Sequence, residues 1–357
     1  MDAHLRPLLD HPPAWLEAGG PEADVAVASR VRLARNLADT PFPDQLSAER
    51  AAELVEAARR VLEEGAPTGH ALRPEESSEA GREFLVERSL ATRDLLQAAR
   101  PTLVYFEQAG LAGVLVHEED HFRIQGMAPG LALDAAAARA RSLERRLRGA
   151  FRFAIHPRYG YLTSCPSNAG SGLRASVLLH LPALARLKAP LQRALHTARR
   201  SGLAVRGLHG EGSRALGRLY QISNQRTLGT PSLTQLQQVG EFAREVGRYE
   251  RSTRDELRAD PGRRGELAED ARRAHELLHE SEALTTDQAL ELLSTLRLAS
   301  LAGIEEEMPC AYEPQAVLQQ MFQLQPGHLQ ARLGREMDPE ERDRVRAELI
   351  RGALGTV

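Results

Sequence analysis

The sequence has almost no lysine. Of its 46 lysine and arginine residues only Lys188 is a lysine, and no glycine-rich loop precedes it. The phosphate-binding lysines of P-loop nucleotidases and of protein kinases therefore have no candidate in this chain. If the protein binds phosphate groups, its arginines must do so, because a guanidinium is the other permanent cation that proteins direct at phosphate.

Cysteine, net charge and long apolar segments are scarce as well. The 357 residues include two cysteines, Cys165 and Cys310, too few for a disulfide framework or a four-thiolate metal site. A net charge of −3 provides no basic field for nucleic acid. No apolar run approaches the roughly 20 residues of a membrane span, and the first six residues lack the apolar segment of a secretion signal. We therefore expect a soluble, cytoplasmic protein that binds neither nucleic acid nor membranes.

The pattern of the chain changes near residue 232. Before it, short apolar and glycine-containing segments alternate, whereas after it long charged segments with helical spacing continue to the end, broken by prolines such as Pro261 and Pro326. At this length two domains are expected, the second of them helical. In the first, we predict strands or extended segments at 25–35, 82–90, 103–116, 151–165 and 203–208, and helices at 47–64, 131–148 and 173–187.

Residues 117–121 match the H-E-x-x-H pattern of zinc metalloproteases. That chemistry needs a helix, yet the flanking segments 111–116 and 122–125 are apolar, partly β-branched and bounded by glycines. We therefore predict a strand through the carboxylates. Alternation would place His117, Glu119, His121 and Arg123 on one face, with Glu118 and Asp120 on the other. A zinc peptidase that uses His117, His121 and Glu118 stays an alternative.

Two glycine-rich segments carry further polar residues. In the first, Cys165 ends a predicted strand and Arg174 enters a predicted helix, with small residues between them that would let backbone amides approach an anion. In the second, Arg206 and Glu211 flank a loop of the kind that closes on substrate. Taken alone, the first segment is better explained as a surface turn with a buried cysteine, and the second as an ordinary connection between a strand and a helix.

Taken together, segments 27–36, 117–125, 160–176 and 206–212 resemble, in order and spacing, the phosphagen (guanidino) kinase family, and within it the bacterial protein arginine kinases. The resemblance implies an α+β fold: a largely antiparallel sheet flanked by helices, the guanidino kinase catalytic fold, with a C-terminal all-helical domain. It implies a catalytic domain at 1–250, a helical dimerisation and phosphoarginine-sensing domain at 251–357, and transfer of a phosphoryl group from ATP to a guanidinium nitrogen, with Mg²⁺.

The resemblance also implies residue roles. Glu119 aligns and deprotonates the guanidinium, Glu211 is the second carboxylate, and Cys165 is the thiol beside the guanidinium. Mg²⁺ is held mainly through nucleotide phosphates, so no protein residue is assigned as a metal ligand. The phosphate clamp comprises Arg30, Arg32, Arg123, Arg174 and Arg206, and the remaining nucleotide-lining residues are Ala28, Ser29, Val31, Ala175, Ser176, Val177, Leu178, Gly207, Leu208, His209, Gly210 and again Glu211.

Two features favour protein arginine over a free guanidine as the substrate. Only 24 residues precede Val25, whereas kinases of small guanidines carry a separate helical domain there. Residues 342–347 form an R-D-x-x-R-A string, which the resemblance makes an allosteric phosphoarginine pocket of Arg342, Asp343 and Arg346. A charged amphipathic helix with intrahelical ion pairs is the alternative for an isolated string of this kind.

The resemblance further implies partners: arginine-containing protein substrates, a second copy in a homodimer, a Clp ATPase and protease that degrade the marked proteins in stress-response quality control, and a zinc-binding activator of the McsA type. A kinase of free arginine or another small guanidine, and a non-catalytic phosphoarginine-binding adaptor, stay open as alternatives. Four positions depart from the family pattern: Ala28, Ser89, His117 and His209 replace serine, histidine, asparagine and an aromatic residue. The carboxylates, the arginines and the cysteine are retained.

Overall fold

The computed structural model describes residues 5–66, 68–207 and 215–354. Within them, eight strands form one sheet in the order β2-β3-β4-β5-β1-β8-β10-β9, and every neighbouring pair is antiparallel. Strands β6 and β7 form a separate hairpin. The predicted α+β fold is confirmed. The strands are β1 Ala26–Arg35, β2 His70–Leu72, β3 Leu103–Glu107, β4 Ala112–Val116, β5 Phe122–Pro129, β6 Ile155–His156, β7 Gly160–Tyr161, β8 Leu173–His180, β9 Leu203–Gly207 and β10 Leu219–Asn224.

Helices flank the sheet and make up the C-terminal part of the chain. Several helices begin at a proline, among them α9 at Pro261, α12 at Pro326 and α13 at Pro339. Proline is well tolerated there because the N–H that it lacks would have no partner in the first turn of a helix. The helices are α1 Arg6–Leu9, α2 Ala48–Glu64, α3 Glu79–Glu87, α4 Arg93–Gln97, α5 Leu133–Ala150, α6 Pro182–Arg186, α7 Ala189–Arg200, α8 Ser232–Ala259, α9 Pro261–Glu280, α10 Thr286–Ala302, α11 Pro314–Gln323, α12 Pro326–Leu333 and α13 Pro339–Leu354.

The two faces of the sheet differ in character. On one face Val31, Ile124 and Val177 are buried in a core that also includes side chains of α2, α5 and α8. On the other face β1 presents Arg30 and Arg32, which remain partly exposed. The strand predicted at 25–35 is confirmed as β1, in which buried and partly exposed residues alternate from Ser29 onwards. The side of the sheet that carries Arg30 and Arg32 is called the cationic face.

Two predicted elements were wrong. Residues 82–90, predicted as extended, lie mostly in α3, which begins where the Ser78 hydroxyl accepts a hydrogen bond from the Gly81 N–H. Residues 173–187, predicted as a helix, form β8 and the short α6. In β8 the side chains of Leu173, Ala175, Val177 and Leu179 are all buried, which is the period of two of a strand. Pairing with β1 and β10, which the sequence does not show, distinguishes this strand from a buried helix. Segment 151–165 is extended only in the short β6 and β7.

The C-terminal helices pack against the sheet. Trp15, Val27 and Met127 share a core with Leu290 of α10 and Phe322 of α11. Helix α8 runs without a break through residues 250 and 251, so the two domains are joined by a helix at the predicted boundary. The boundary itself stays a prediction. Among the described helices, none has the length and apolar character needed to cross a membrane.

A buried polar network ties α10 to the end of β8. Arg297 donates hydrogen bonds to His180 Nδ1 at 2.6 Å, to the Pro314 carbonyl at 3.1 Å and to the Ala23 carbonyl at 3.2 Å. His180 Nε2 then carries the proton and donates to the Ser294 hydroxyl at 2.8 Å. Burial and the adjacent Arg297 hold the pKa of His180 well below its usual value, so the ring is neutral.

Replacing Arg297 by methionine is expected to lower the free energy of unfolding by about 3–5 kcal/mol, because three buried acceptors lose their donor while the side-chain volume is largely kept. Urea unfolding measures the change. Arg258→Met is the matched control, since this arginine is also helical but 54% exposed, and it should change stability by less than about 0.5 kcal/mol. Equal midpoints for the two variants would contradict the structural role.

Candidate functional site

The register of the sheet brings the five predicted arginines to one face. Directly opposed residues of an antiparallel pair project to the same side. Arg32 lies opposite Arg174, and Arg30 lies opposite Ser176. The pairing continues outwards, with Arg123 opposite Ala34 on one side of β1 and Arg206 opposite Gln221 beyond β8. Four strands thus present Arg30, Arg32, Arg123, Arg174 and Arg206 on the cationic face.

These arginines disturb one another. Burial, followed by repulsion from Arg123 and Arg174, lowers the pKa of Arg30 to about 10. Burial and the same two neighbours, together with Arg30, hold the pKa of Arg32 well below its usual value, and the carboxylate of Glu118 only partly offsets them. Among the described residues, the buried Nε of Arg30 has no hydrogen-bond partner. A cluster of desolvated cations in which Arg30 keeps an unfilled donor fits a polyanion such as a nucleotide polyphosphate.

Residues 117–121 form the turn of a hairpin, so the strand predicted to run through the carboxylates was wrong. Strand β4 ends at Val116, β5 begins at Phe122, and the His117 N–H donates to the His121 carbonyl at 3.0 Å. His117 adopts a φ of 61°, which an extended chain excludes. The alternation of faces is consequently lost.

The turn directs two consecutive carboxylates towards Arg123. Glu118, predicted on the opposite face, is buried and forms an ion pair with Arg123. It also accepts hydrogen bonds from the Thr92 hydroxyl at 2.9 Å and from the Glu119 N–H at 2.8 Å. Glu118 therefore positions both the Arg123 side chain and the backbone of Glu119. Sequence reasoning missed this role because it depends on the turn.

Glu119 is the more accessible carboxylate, with its side chain 39% exposed. Its Oε2 lies 3.8 Å from Arg123 Nη2 and accepts a hydrogen bond from Asn168 Nδ2 at 3.4 Å. Partial burial and the neighbouring Asp120 raise the pKa of Glu119, and Arg123 and a hydrogen bond with Cys165 lower it only in part. The raised pKa makes this carboxylate a stronger base than a free one.

The carboxylate of Asp120 brings Cys165 next to Glu119. Its Oδ1 accepts from Asn36 Nδ2 at 2.6 Å and from the Ser164 N–H at 2.7 Å, which fastens the cysteine loop to the hairpin turn. The Cys165 sulfur lies 3.0 Å from the Ser167 hydroxyl. Cys165 thus occupies a loop rather than the end of a strand.

Arg174 lies on a strand, so the prediction that it enters a helix was wrong.

The two histidines of the H-E-x-x-H string are structural. His117 Nδ1 donates to the Pro101 carbonyl at 3.0 Å, and His121 Nδ1 donates to Asn36 Oδ1 at 2.8 Å. Burial lowers the pKa of both, that of His121 to about 4. Across the described residues, no group of three histidine, cysteine or acidic side chains is placed to hold a metal ion. The turn also lacks the helix that the zinc-peptidase alternative requires.

A zinc-selective chelator, applied with magnesium in fixed excess, is expected to leave the activity of the protein unchanged within about twofold. Within residues 5–66, 68–207 and 215–354, neither His117 nor His121 belongs to a group of metal ligands. Zinc content measured by elemental analysis should be well below one ion per chain. Stoichiometric zinc, with activity lost on chelation and restored by zinc alone, would revive the peptidase alternative.

The cationic face continues into a cavity of about 280 Å³. Ala28, Arg30, Ser176 and Leu178 line its sheet side; all four are residues predicted to line the nucleotide, and that role stays a prediction. Ser89 lines it as well, and its carbonyl accepts from Gln125 Nε2 at 2.6 Å. The remaining walls are side chains that no sequence signal connected with the site, among them Trp15, Met127, Leu216, Gln221, Thr286, Asp287, Phe322, Gln325 and Pro326.

Other predicted nucleotide-lining residues are placed differently. Val31, Ala175 and Val177 have side chains buried in the core on the opposite face, so only their backbone faces the site. The Ser29 hydroxyl is occupied by the Gly130 carbonyl at 2.8 Å. Gly207 ends β9. Leu208, His209, Gly210 and Glu211 lie outside the described residues, and their roles stay predictions.

In the C-terminal tail, Arg346 is buried. It donates to the Leu324 carbonyl at 2.9 Å, to the Leu284 carbonyl at 2.6 Å and to Asp343 Oδ1 at 2.6 Å. Arg342 and Asp343 are partly exposed on α13. A phosphoarginine bound here would compete with Asp343 for Arg346. The predicted pocket stays a prediction.

Comparison with known proteins agrees with this geometry. Residues 50–253 match the family "ATP:guanido phosphotransferase, C-terminal catalytic domain", and residues 264–357 match "Protein-arginine kinase McsB C-terminal domain". The protein-arginine kinase of Symbiobacterium thermophilum is 36% identical over 345 residues, which cover 95% of this chain and 96% of that protein. The protein-arginine kinase of an Exiguobacterium species is 37% identical over 331 residues, 93% of each chain.

Solved structures with the same fold include kinases of small guanidines. The duplicated taurocyamine kinase from Schistosoma mansoni, with bound transition-state analogue components, matches with a TM-score of 0.56 and 28% identity. The match covers 63% of this chain and 33% of that one, so it spans about a third of the duplicated protein. Lombricine kinase matches with a TM-score of 0.57, 20% identity and coverage of 66% and 69%, and shows the fold alone.

Proposed function

The chain belongs to the ATP:guanido phosphotransferase family of kinases, and from this membership we propose that it transfers the γ-phosphoryl group of ATP to arginine side chains of proteins. The observation that carries the proposal is the pairing of a polyanion site with a basic carboxylate. The arginines of the cationic face and Glu119 meet at Arg123, whose guanidinium lies beside both.

The arginines bind the nucleotide and stabilise the transferring group. In a loose transition state, charge spreads over the oxygens of the γ-phosphoryl group, and fixed guanidinium donors stabilise it without reorganising. Mg²⁺ bound with the nucleotide would supply further charge neutralisation, and no described side chain is assigned to hold it. This assignment fits the five arginines of the cationic face, of which Arg30 lines the cavity and retains an unfilled buried donor.

Glu119 orients and deprotonates the substrate guanidinium. A guanidinium with a pKa above about 12 is a poor nucleophile until it loses a proton. One nitrogen forms a bond to the γ-phosphorus as the bond from that phosphorus to the β–γ bridging oxygen breaks. The proton of the nitrogen passes to the Glu119 carboxylate, and ADP leaves. In this proposal Glu211 grips the same guanidinium from the other side, and the Cys165 thiol, hydrogen-bonded to Glu119, lies beside the reacting nitrogen.

Protein substrates are favoured over free arginine by the names of the full-length relatives, which are protein-arginine kinases, and by the matched C-terminal family. We further propose that residues 251–357 mediate a homodimer and sense phosphoarginine through Arg342, Asp343 and Arg346. We also propose two kinds of partner protein. One is a zinc-binding activator, and the other is a Clp ATPase and protease that degrade the phosphorylated proteins.

Incubation with magnesium ATP and an unfolded, arginine-containing protein is the direct test. We expect acid-labile phosphate on arginine, located by mass spectrometry under neutral conditions, and far slower turnover of free arginine. Faster phosphorylation of free arginine than of the protein would support a small-guanidine kinase instead. Binding of phosphoarginine without any transfer would support the adaptor alternative. Faster degradation of the phosphorylated product by a reconstituted Clp protease is expected for the proposed fate.

A further inference from the structure

Gln325 is a buried amide with unused hydrogen-bonding capacity. The residue is 4% exposed and directly precedes α12. Its backbone N–H donates to the Phe322 carbonyl and its carbonyl accepts from the Leu329 N–H, but among the described residues its side-chain amide has no hydrogen-bond partner. The side chain lines the same cavity as Arg30.

A polar side chain directly before a helix normally caps the helix, because its oxygen accepts hydrogen bonds from the free N–H groups of the first turn. Here that role is taken by another residue. The carboxylate of Glu87 accepts from the Gly327 N–H at 2.7 Å and from the His328 N–H at 2.8 Å. Gln325 is therefore released from capping. The amide lies in the wall of the cavity and no described group bonds it, so a ligand in the cavity can supply its hydrogen bonds.

We propose that Gln325, a residue of the C-terminal helical part, hydrogen-bonds the base of the nucleotide and thereby contributes to base recognition. A primary amide offers a donor and an acceptor side by side, which matches the amino group and adjacent ring nitrogen on an edge of adenine. This inference rests on the proposed kinase function and extends it, since it makes the helical part a component of the nucleotide site.

The surroundings agree with a base at this end of the cavity. Arg30 marks the phosphate end, because it belongs to the arginine cluster of the sheet. Met127, Leu178 and Phe322 contribute apolar walls suited to the two faces of a planar base. The volume of about 280 Å³ is close to the lower limit of roughly 300 Å³ for pockets that enclose small ligands.

Three variants test the proposal, with KM and kcat measured for both ATP and GTP and the affinity for ADP measured by calorimetry. Gln325→Leu keeps the bulk and removes both hydrogen bonds, so the KM for ATP and the Kd for ADP should rise about tenfold while kcat changes less than about twofold. Gln325→Glu leaves only acceptors, which suit the N1 and amino donors of guanine and repel the ring nitrogen of adenine. The ratio of kcat/KM for ATP to that for GTP should therefore fall more than tenfold.

Gln323→Leu is the matched control. This residue lies two positions earlier, is partly exposed and does not line the cavity, so the variant should behave as the unmodified protein.

Unchanged ADP affinity and an unchanged ATP-to-GTP ratio in both Gln325 variants, with melting temperatures equal to that of the control, would overturn the proposal. A fall in kcat together with a rise in KM in Gln325→Leu, without a shift in base preference in Gln325→Glu, would also overturn it, because the residue would then be only structural. The two proposals fail separately. Weaker ADP binding by Gln325→Leu in a protein that transfers no phosphate would support this inference while sinking the proposed function.

Discussion

Replacement of Glu119 by glutamine is expected to lower kcat for phosphoryl transfer by about 10²–10⁴-fold while changing the KM for ATP less than about threefold. The side chains are nearly equal in size, so the Asn168 contact at 3.4 Å can be kept. What is lost is the group that accepts the guanidinium proton, and proton transfer by a positioned side chain typically contributes a factor of this size. Single-turnover transfer to a protein substrate measures the chemical step.

Two comparisons make this result specific. Glu64→Gln, at the exposed end of α2, should retain full activity. In the unmodified protein, the raised pKa of Glu119 should place the acid limb of the pH dependence of kcat/KM above the value of about 4.3 for a free glutamate, with activity lost as the pH falls through that limb. If Glu119→Gln retained more than a tenth of the activity, Glu119 would not be the proton acceptor.

The sequence predicted the composition of the site better than its geometry. Arg30 and Arg32 share one face of β1 because charged and apolar residues alternate from Arg30 to Leu33. The apolar stretch at 173–187 fits a buried helix and a central strand equally well, and only pairing with β1 and β10 distinguishes them. That the arginines of four strands share one face follows from strand register, which a single sequence does not encode locally.

The turn at 117–121 shows a second limit. Apolar segments on both sides of it indicated one continuous strand, whereas they are two strands of a hairpin. The five polar residues 117–121 are compatible with a continuous strand and with a turn between two strands. The positive φ of His117 identifies the turn. The wrong prediction mattered for function, because it placed Glu118 and Arg123 on opposite faces, whereas they form an ion pair in the structure.

The contribution of the C-terminal helices to the cavity had no sequence signal at all, yet it connects two parts of the proposed mechanism. Arg346 donates to the carbonyl of Leu324, the residue that immediately precedes Gln325. It also donates to Leu284, two residues before Thr286 on the cavity wall. A ligand that drew Arg346 away from these carbonyls would loosen that wall. Coupling between the proposed phosphoarginine pocket and nucleotide affinity would then require only this one side chain as a shared contact.

Replacement of Arg32 by methionine should change activity and stability in opposite directions. Among the described residues that affect it most, Arg32 is repelled by Arg30, Arg123 and Arg174 and attracted by Glu118. Methionine keeps most of the apolar stem and removes the charge. In the absence of nucleotide, the free energy of unfolding should therefore rise by about 1 kcal/mol, or about 2 °C in Tm. The value of kcat/KM for ATP should fall about 10³-fold, because a fixed donor to the transferring phosphoryl group is lost.

Thermal unfolding without nucleotide and single-turnover transfer together measure both effects. Added salt should stabilise the unmodified protein more than the Arg32→Met variant, since screening relieves a repulsion that the variant no longer has. Arg50→Met, on the exposed surface of α2, should change neither quantity appreciably. A variant that lost both activity and stability would mean that Arg32 supports the fold. Gained stability with lost activity would instead mean that the repulsion among these arginines is maintained for the anion that they bind.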